Sequence, residues 1–399
     1  MEPVKEQLLV LGPPTTRFRD NIRNDTKYIT SWISAGWTND VMTYGNLIYL
    51  GMITNRVPVI PPFTSSGHIG FAQPVPFGDI FDILRLRKAV GPILEWRDIK
   101  DPESEEIEDI GCWNIWEAVQ YEHKNPRHSH VPTWLNLDIS YTRAPDWVKL
   151  LPGFGPDQHS TFWSLAPLAY PEARNASLGN ILPSPIHKAK LDPDEHMLCY
   201  DFLYYVTLNK PWEWDTDYAP MWREVVKHFR WTSKMEDLAR TSLRATFGLP
   251  EQETIPPFIS VHVRHNDFLD WCGDVPREEC FASLPVVARR VEEVRTELRE
   301  RKGLAVDTVV MTSDEKDPEW WQDVKKLGWV PIDHAALRTV DMHGKWYPIL
   351  IDAVIQSMGA GFVGTDRSTM SMLARRRVQD WHNGAVRDVK WGYLDADAH

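Results

Sequence analysis

The chain has 399 residues, of which 43% are hydrophobic and 25% are charged, close to the averages for globular domains. Its net charge of −12 argues against a nucleic-acid-binding protein, which needs a basic surface. No apolar stretch reaches the roughly 18 residues of a transmembrane helix. We therefore expect a globular protein of two or three domains, with no nucleic-acid partner and no transmembrane segment.

The cysteines and the glycosylation sequences bear on the compartment of the protein. The chain has four cysteines: Cys112, Cys199, Cys272 and Cys280. They match no Cys-x-x-Cys zinc or redox pattern, so they form up to two disulfides or remain reduced thiols. Asn-x-Ser/Thr sequences begin at Asn24 and Asn175 and permit a secretory protein, whereas the first residues predict no signal peptide.

The first half of the chain contains one clear helix followed by one strand. Residues 38–55 begin with Thr-Asn-Asp and carry apolar residues at helical spacing, which predicts an amphipathic helix, and residues 56–63 predict a short strand ended by prolines. Residues 63–217 are rich in Pro, Trp and turn residues and show few periodic runs, so the sequence does not place individual helices or strands there. Residues 218–247 predict a helical stretch, and the polar linker at 248–257 predicts a boundary between domains 1–250 and 251–399.

Beyond the linker, strands and helices alternate. Apolar runs predict strands at 258–263, 307–314 and 361–365, and amphipathic patterns predict helices at 284–303, 317–328, 344–358 and 367–378. This alternation predicts a parallel α/β sheet, whose ligands bind at the carboxyl ends of its strands.

Polar residues follow each predicted strand and therefore meet at one rim: RHNDF at 264–268, TSDE at 312–315 and TDRST at 365–369. GAGFVG at 359–364 matches Gly-x-Gly-x-x-Gly, but it follows a helix and contains a strand, so it does not predict a dinucleotide-binding loop. Arg264 and the N-terminus of the last helix, with Ser368 and Thr369, remain as phosphate ligands. They predict a diphosphate site without a glycine-rich loop.

Each rim residue also has a structural interpretation. Arg264 could form an ion pair with Asp267, and His262 could be a hydrogen-bonded core histidine. Asp314 could cap the following helix, and Asp352 could lie on a solvated helix face. The functional interpretation depends on the convergence of these residues at one rim.

Three C-terminal motifs are HVRHNDF at 262–268, VVMTSDE at 309–315 and DAVIQSMGAGFVGTDRSTMS at 352–371; two N-terminal ones are GWTND at 36–40 and NRVPVIPPF at 55–63. Together they resemble the GDP-fucose-dependent protein O-fucosyltransferases and their relatives that add fucose in α1,2 and α1,6 linkage. Residues 64–250 show little of this resemblance. It implies an α/β fold of GT-B type, in which two Rossmann-like domains face each other across a cleft.

In this family picture, residues 1–250 form the acceptor-side domain and residues 251–399 the GDP-sugar-binding domain, whose last helix packs back on the first. Arg264 would bind the β-phosphate and stabilise the charge that develops as the fucose–phosphate bond breaks. His262 would contact the guanine, and Asp352 would accept hydrogen bonds from guanine N1–H and N2–H₂.

The resemblance gives the remaining matching residues supporting roles in binding the nucleotide sugar. Ser368 and Thr369 would hold the phosphates, with Thr365 close by in the nucleotide-sugar site, and Asp314 would line the pocket near the ribose. Asn39, in the turn that begins at Gly36, would reach the diphosphate and belong to the catalytic machinery. No metal or other cofactor is implied, because an arginine and a helix N-terminus supply the positive potential.

The sequence departs from the family at this N-terminal turn. Thr38 replaces the glycine that usually precedes the asparagine, and Ala35 stands where some relatives have a glutamate as the general base. Asp40 and Asp267 are the candidate bases, and a loose transition state that needs little base catalysis is a third possibility. Inversion at the sugar carbon is implied in each case.

We therefore predict an inverting, metal-independent glycosyltransferase that moves fucose from GDP-fucose to a hydroxyl of a protein Ser/Thr or of a glycan. The resemblance implies the lumen of the ER or Golgi, although the sequence shows neither a signal peptide nor an anchor. One alternative is a metal-dependent transferase that uses a D-x-D pair at Asp215–Asp217 or Asp395–Asp397. The other is a catalytically inactive relative that binds a nucleotide or glycan.

Overall fold

The computed structural model describes residues 9–65, 69–120, 122–216 and 218–398. The chain divides into two compact units, Met1–Arg230 and Trp231–His399. The helix Ser233–Phe247, which precedes the predicted linker, lies in the second unit. Within the described ranges, no helix combines the length and apolarity required to span a membrane.

The first unit contains short strands and mostly short helices. Its strands are β1 (Tyr28–Ser31), β2 (Val57–Ile60), β3 (Leu94–Glu95), β4 (Glu108–Asn114), β5 (Leu137–Arg143), β6 (Ser160–Thr161), β7 (Ile181–Leu182), β8 (Met197–Tyr200) and β9 (Val206–Thr207). Its α-helices are α1 (Trp37–Ile53), α2 (Phe77–Ile80), α3 (Ile83–Val90), α4 (Trp96–Ile99), α5 (Trp116–Val119), α6 (Val131–Trp134), α7 (Phe162–Leu165) and α8 (Pro171–Ala176).

A seven-stranded sheet in the order β3-β2-β1-β8-β4-β5-β7 forms the centre of the first unit. All neighbouring strands are parallel except β5 and β7. The predicted helix and strand at the N-terminus are confirmed as α1 and β2. A disulfide between Cys112 and Cys199 joins β4 to β8.

The second unit is a regular α/β layer. Its strands are β10 (Phe258–Val263), β11 (Thr308–Ser313), β12 (Val330–Pro331), β13 (Gly361–Thr365) and β14 (Ala385–Val389). Its α-helices are α9 (Ser233–Phe247), α10 (Arg277–Cys280), α11 (Leu284–Lys302), α12 (Pro318–Lys326), α13 (Thr339–His343), α14 (Tyr347–Met358) and α15 (Thr369–His382). The predicted strands and helices after the linker are thus confirmed.

One predicted helix is interrupted. Residues 218–247 were expected to form a single helical stretch, but a π-helical turn at Met221–Val225 and a 3-10 turn at Val226–His228 precede a break. The α-helix begins only at Ser233, where the hydroxyl of Thr232 caps it by accepting the N–H of Met235. Because Thr232 is in extended conformation as an N-cap, the chain turns there and α9 starts independently.

The second sheet has the order β12-β11-β10-β13-β14, and all its strands are parallel. The chain first adds β11 and β12 on one side of β10 and then adds β13 and β14 on the other. In such sheets ligands bind outside the carboxyl ends of the strands, where the strand order reverses. The carboxyl ends of β10 and β13 therefore mark the position of a binding site in this unit.

Candidate active site

Arg264 follows the last residue of β10, beside the end of β13. Its backbone N–H donates a hydrogen bond of 3.0 Å to Oγ1 of Thr365, the last residue of β13. The Thr365 hydroxyl in turn donates to the carbonyl oxygen of His262 at 3.2 Å. One side chain therefore joins the two strand ends and fixes the main chain from which the arginine extends.

The guanidinium of Arg264 lies between two carboxylates. Its nitrogens are 2.7 Å from Oδ1 of Asp267 and 3.1 Å from Oδ2 of Asp314. Arg264 therefore forms the ion pair with Asp267 that the structural interpretation predicts, and it also lies at the rim, as the functional interpretation predicts. The arginine side chain keeps 23% of its surface exposed, so its charge remains accessible from solvent.

Asp314 belongs to this network and does not cap the helix that follows it. Its Oδ1 accepts the backbone N–H of His265 at 2.8 Å, which joins the ends of β10 and β11. The cap of α12 is Asp317, whose side chain accepts the N–H of Glu319. Asp314 thus holds both the main chain beside Arg264 and the guanidinium itself.

A second buried pair supports the same strand ends. The His265 ring nitrogen Nδ1 lies 2.7 Å from Oε2 of Glu315, which also contacts Arg277. Burial opposes ionisation of Glu315, but hydrogen bonds from the backbone N–H of Asp317 and from these two side chains outweigh it and lower its pKa to about 2. Sequence reasoning did not select this pair, although Glu315 stands in the TSDE motif.

His262 is buried and neutral. Its Nδ1 lies 2.7 Å from Oγ of Ser371, and burial, assisted by the positive charge of Arg264, lowers the histidine pKa to about 3. His262 is therefore a hydrogen-bonded core residue, as the structural interpretation predicts. Its proposed contact with a guanine base remains a prediction.

Ser371 is a site residue that the sequence analysis missed. Besides His262, its Oγ accepts the backbone N–H of Thr365 at 2.9 Å. A Cβ atom at Gly364 would lie 2.7 Å from Cβ of Ser371, so only glycine allows the helix to approach β13 this closely. A serine three positions after the N-cap of a helix is the only sequence signal for this role.

The N-terminus of α15 lies at the rim, and its first turn carries no acidic side chain. Ser368 is the N-cap, and its hydroxyl accepts the N–H of Ser371. Thr369 is the first helical residue, and the first turn contains no acidic residue. The helix dipole at this end is therefore available to an anion, as predicted for the phosphates.

Asp352 lies on α14 and has a different partner from the other rim residues. Its Oδ1 lies 2.9 Å from Nε2 of His334, a residue that follows β12. Burial acts to lower the histidine pKa, but the hydrogen bond and the charge of Asp352 outweigh it, so the pKa is raised. A guanine contact by Asp352 would have to use the carboxylate while it holds His334.

In the first unit, the turn predicted to reach the donor opens α1. Gly36 is the N-cap and Asn39 lies in the first turn, with its Oδ1 buried and without a hydrogen-bond partner among the described residues. Thr38 is an ordinary, buried helical residue, so the missing glycine does not distort the turn. The structure thus provides a buried, unpartnered amide oxygen at the predicted position.

Asp40, a candidate base, supports the same turn from inside. It is almost fully buried, and its Oδ1 accepts the backbone N–H of Ala35 at 3.1 Å. Burial raises the pKa of its carboxyl well above the ordinary value. Asp267, the other candidate base, forms an ion pair with Arg264.

The D-x-D candidates lie in other surroundings. Asp215 ends a 3-10 turn, and Asp217 lies outside the described residues. Asp397 is buried in ion pairs with Arg290 at 2.8 Å and with Arg289 at 3.2 Å. An aspartate neutralised in this way has a structural role.

A family profile described as GDP-fucose protein O-fucosyltransferase matches residues 28–379. The chain belongs to this family. The predicted family assignment is therefore confirmed, and the match spans both units. A pairwise comparison with curated proteins gives no match.

Solved structures show the fold of the family. The chain resembles POFUT1 in complex with GDP-fucose, with 14% identity and a TM-score of 0.57 over 93% of this chain and 99% of that one. A crystal form of POFUT1 in complex with GDP gives 15% identity and a TM-score of 0.53 over 93% and 100%. NodZ α-1,6-fucosyltransferase co-crystallised with GDP gives 15% identity and a TM-score of 0.41 over 88% and 92%. The POFUT1 likeness confirms the predicted α/β GT-B fold class.

Proposed function

We propose that this family member is an active enzyme that transfers fucose from GDP-fucose to a hydroxyl group of a protein or glycan, with inversion and without a metal ion. The observation that carries the proposal is the position of Arg264. It lies where the strand order of the second sheet reverses, its main chain is held by Thr365, and its guanidinium is held by Asp267 and Asp314.

The site offers two sources of positive potential for a diphosphate leaving group. Arg264 can donate two parallel N–H bonds to phosphate oxygens, and the N-terminus of α15 adds backbone N–H groups and the hydroxyls of Ser368 and Thr369. As the bond between the sugar carbon and the β-phosphate breaks, negative charge moves onto the phosphate. Donors fixed in advance stabilise that charge and lower the barrier.

The two carboxylates beside Arg264 have different parts in this proposal. The Asp267 side chain is 42% exposed, whereas that of Asp314 is 17% exposed and also holds the His265 main chain. An arriving diphosphate would displace Asp267 from the guanidinium and leave Asp314 in place. The arginine would thus be held in position both before and after the donor binds.

The structural partners of the candidate bases favour a loose transition state. Asp40 is buried with a raised pKa and accepts the N–H of Ala35, and Asp267 is paired with Arg264. In a loose transition state the acceptor hydroxyl loses its proton late, so stabilisation of the leaving group contributes more than a strong base. The proposal therefore assigns the main catalytic role to Arg264.

The test combines a donor panel with one pair of arginine variants. Thermal shifts with GDP-fucose, GDP-mannose and UDP-N-acetylglucosamine identify the nucleotide that binds, and release of free fucose from GDP-fucose reports turnover. We expect a shift with the two GDP-sugars and turnover with GDP-fucose. Arg264→Ala should lower turnover by about 10²–10³-fold, the effect of losing one charge-stabilising donor.

Arg240→Ala is the matched control. Arg240 also pairs with two carboxylates, Glu236 at 2.8 Å and Asp237 at 3.2 Å, but it lies on α9. Its loss should leave turnover unchanged. Binding of GDP-fucose without turnover would identify an inactive binder instead, and equal effects of the two variants would contradict the role of Arg264.

A further inference from the structure

The first unit has its own point of strand-order reversal, and a cleft opens there. From β1 the chain adds β2 and β3 on one side, whereas β8, β4 and β5 lie on the other. A cleft with a volume of about 730 Å³ is lined by parts of the segments that follow β1, β2 and β4, at residues 33–36, 64–65, 70–72, 128–130 and 134. Its place at the carboxyl ends of parallel strands is the usual place of a ligand site.

The walls of this cleft are fixed by hydrogen bonds that cross between its segments. The Ser129 hydroxyl donates to the carbonyl of Ile33 at 2.6 Å, and the Arg127 guanidinium donates to the carbonyl of Ser34 at 3.2 Å. The backbone N–H of Arg127 donates at 3.0 Å to Asp201, the residue that follows β8. The segments after β1, β4 and β8 therefore form one connected wall, as expected of a preformed site.

In the part of the chain that the structure describes, the lining is uncharged apart from one carboxyl, and it combines polar groups with apolar ones such as the ring of Phe71. Among the described residues that line the cleft there is no Lys or Arg, and the only carboxyl is that of Asp40, whose pKa is raised by burial. Serine and threonine hydroxyls line it, together with the exposed rings of His128 and His130, which meet edge to face at 4.9 Å. Trp134 adds an indole that is 39% exposed.

Such a mixed lining suits a sugar, whose surface combines hydroxyl groups with apolar C–H faces. Hydroxyls and imidazoles exchange hydrogen bonds with sugar hydroxyls, and an indole face packs against the C–H face of a sugar ring. Arg127 belongs to the adjoining wall and is not among the lining residues. Its guanidinium is engaged by the Ser34 carbonyl and by the ring of Trp116, at 4.8 Å, and is therefore not presented to a phosphate in the cleft. The volume lies within the roughly 300–1,000 Å³ typical of small-molecule sites, whereas a folded protein partner needs a broad surface of about 800 Å² on each side.

The cleft also adjoins the turn expected to contact the donor. Gly36 lines the cleft and is the N-cap of α1, three residues before Asn39. We propose that this cleft is the acceptor subsite and that its ligand is a short neutral oligosaccharide. The inference rests on the proposed transferase function and narrows its acceptor from a protein or a glycan to a glycan.

Binding is measured by saturation-transfer NMR and calorimetry on the full chain. The probes are the neutral trisaccharides of N-acetylglucosamine, glucose and mannose, with 3′-sialyllactose and a Ser/Thr-containing peptide as comparisons. We expect at least one neutral trisaccharide to bind, and neither comparison probe. Failure of all three neutral trisaccharides, or binding of the peptide that Trp134→Ala abolishes, would overturn the proposal.

Trp134→Ala tests the location of the binding site. It should weaken trisaccharide binding by about tenfold, the effect of losing one well-packed aromatic contact. Trp147→Ala is the control, because Trp147 is 44% exposed in the same unit but does not line the cleft. Equal behaviour of the two variants would contradict the assignment.

The donor reaction separates this inference from the proposed function. In Trp134→Ala, GDP binding and release of fucose from GDP-fucose should match the wild type, while the KM for the bound trisaccharide rises about tenfold in the transfer assay. If the wild-type chain does not bind GDP, the proposed transferase function is contradicted. Trisaccharide binding would still be measured independently in that case.

Discussion

Thr365 and Arg264 are joined by a hydrogen bond in which the threonine hydroxyl accepts the arginine backbone N–H at 3.0 Å. The two residues stand at the ends of neighbouring parallel strands and are 101 positions apart in the chain. The same hydroxyl donates to the carbonyl of His262, so both its hydrogen-bonding directions are used. The position of the candidate catalytic arginine is therefore set by its main chain as well as by its ion pairs.

Removal of this hydroxyl should disturb the site without changing the packing volume of the side chain. Thr365→Val has nearly the same shape but leaves the Arg264 N–H and the His262 carbonyl without their partner. We expect the free energy of unfolding to fall by about 1–3 kcal/mol. Fucose release from GDP-fucose should fall by about tenfold, and Thr365→Ser should restore most of both. A valine variant with wild-type turnover would show that the hydrogen bond does not position Arg264.

The two carboxylates beside Arg264 should differ in importance. Asp314 is less exposed than Asp267 and also holds the His265 main chain. Because exposed ion pairs contribute little, Asp267→Asn should change kcat/KM for GDP-fucose by less than about threefold. Asp314→Asn should lower it by about tenfold or more. Loss of kcat in Asp267→Asn with an unchanged KM would instead identify Asp267 as the general base.

The buried His262 should make the protein sensitive to acid. Its folded pKa is about 3, below the ordinary value of 6.5, because burial disfavours the charged ring. The unfolded chain therefore binds the extra proton first, and stability falls as the pH is lowered from 6.5 toward 3. This group contributes a slope of about 1.4 kcal/mol per pH unit in that window. Urea unfolding at several pH values measures it.

His262→Gln is the variant for the acid-stability experiment, since glutamine retains a hydrogen-bonding side chain but does not titrate. It is expected to be less stable than the wild type at pH 7, because the contact with Ser371 is disturbed. Its stability should nevertheless depend less on pH between 6.5 and 4. A parallel pH dependence in the two proteins would mean that other groups dominate the acid response.

Activity should not depend on a divalent cation. Asp397 is held by Arg289 and Arg290, and its partner in the motif, Asp395, lies in a left-handed turn. Fucose release in excess EDTA should equal that in Mn²⁺ or Mg²⁺. Asp397→Asn should lower thermal stability, because the buried carboxylate that pairs with both arginines loses its charge, and leave turnover per folded molecule unchanged. Restoration of EDTA-inhibited activity by Mn²⁺ would support the D-x-D alternative.

The long elements of the second unit could be predicted from the sequence, whereas the strands β12 and β14 and the short helices α10 and α13 were not predicted. The strands β10 and β13 are buried on both faces and appear as apolar runs, at 258–263 and 361–365. The rim residues followed from connectivity, because parallel strands place their carboxyl ends together. Ser371 and the pair of His265 and Glu315 were missed, since their contacts depend on the rotation of a helix and the path of a loop.

Most helices and strands of the first unit could not be predicted from the sequence, because they are too short. Several of its strands have two residues and several of its helices have four, too short to show a period of 2 or 3.6. The cleft is formed by segments after β1, β2 and β4 that are separated by long stretches of sequence. Its lining residues are ordinary Ser, Thr and His, so only their proximity in the folded chain indicates a site.

The disulfide between Cys112 and Cys199 has a practical consequence for making this protein. It links β4 to β8 across 87 positions of sequence, and Asp201, which anchors Arg127 in the wall of the cleft, comes two residues later. Closing so long a loop restricts the unfolded chain by roughly 4–5 kcal/mol of loop-closure entropy. Protein produced in a reducing cytoplasm would lack this restraint, so recombinant material should come from an oxidising host and be checked for free thiols before weak saccharide binding is interpreted.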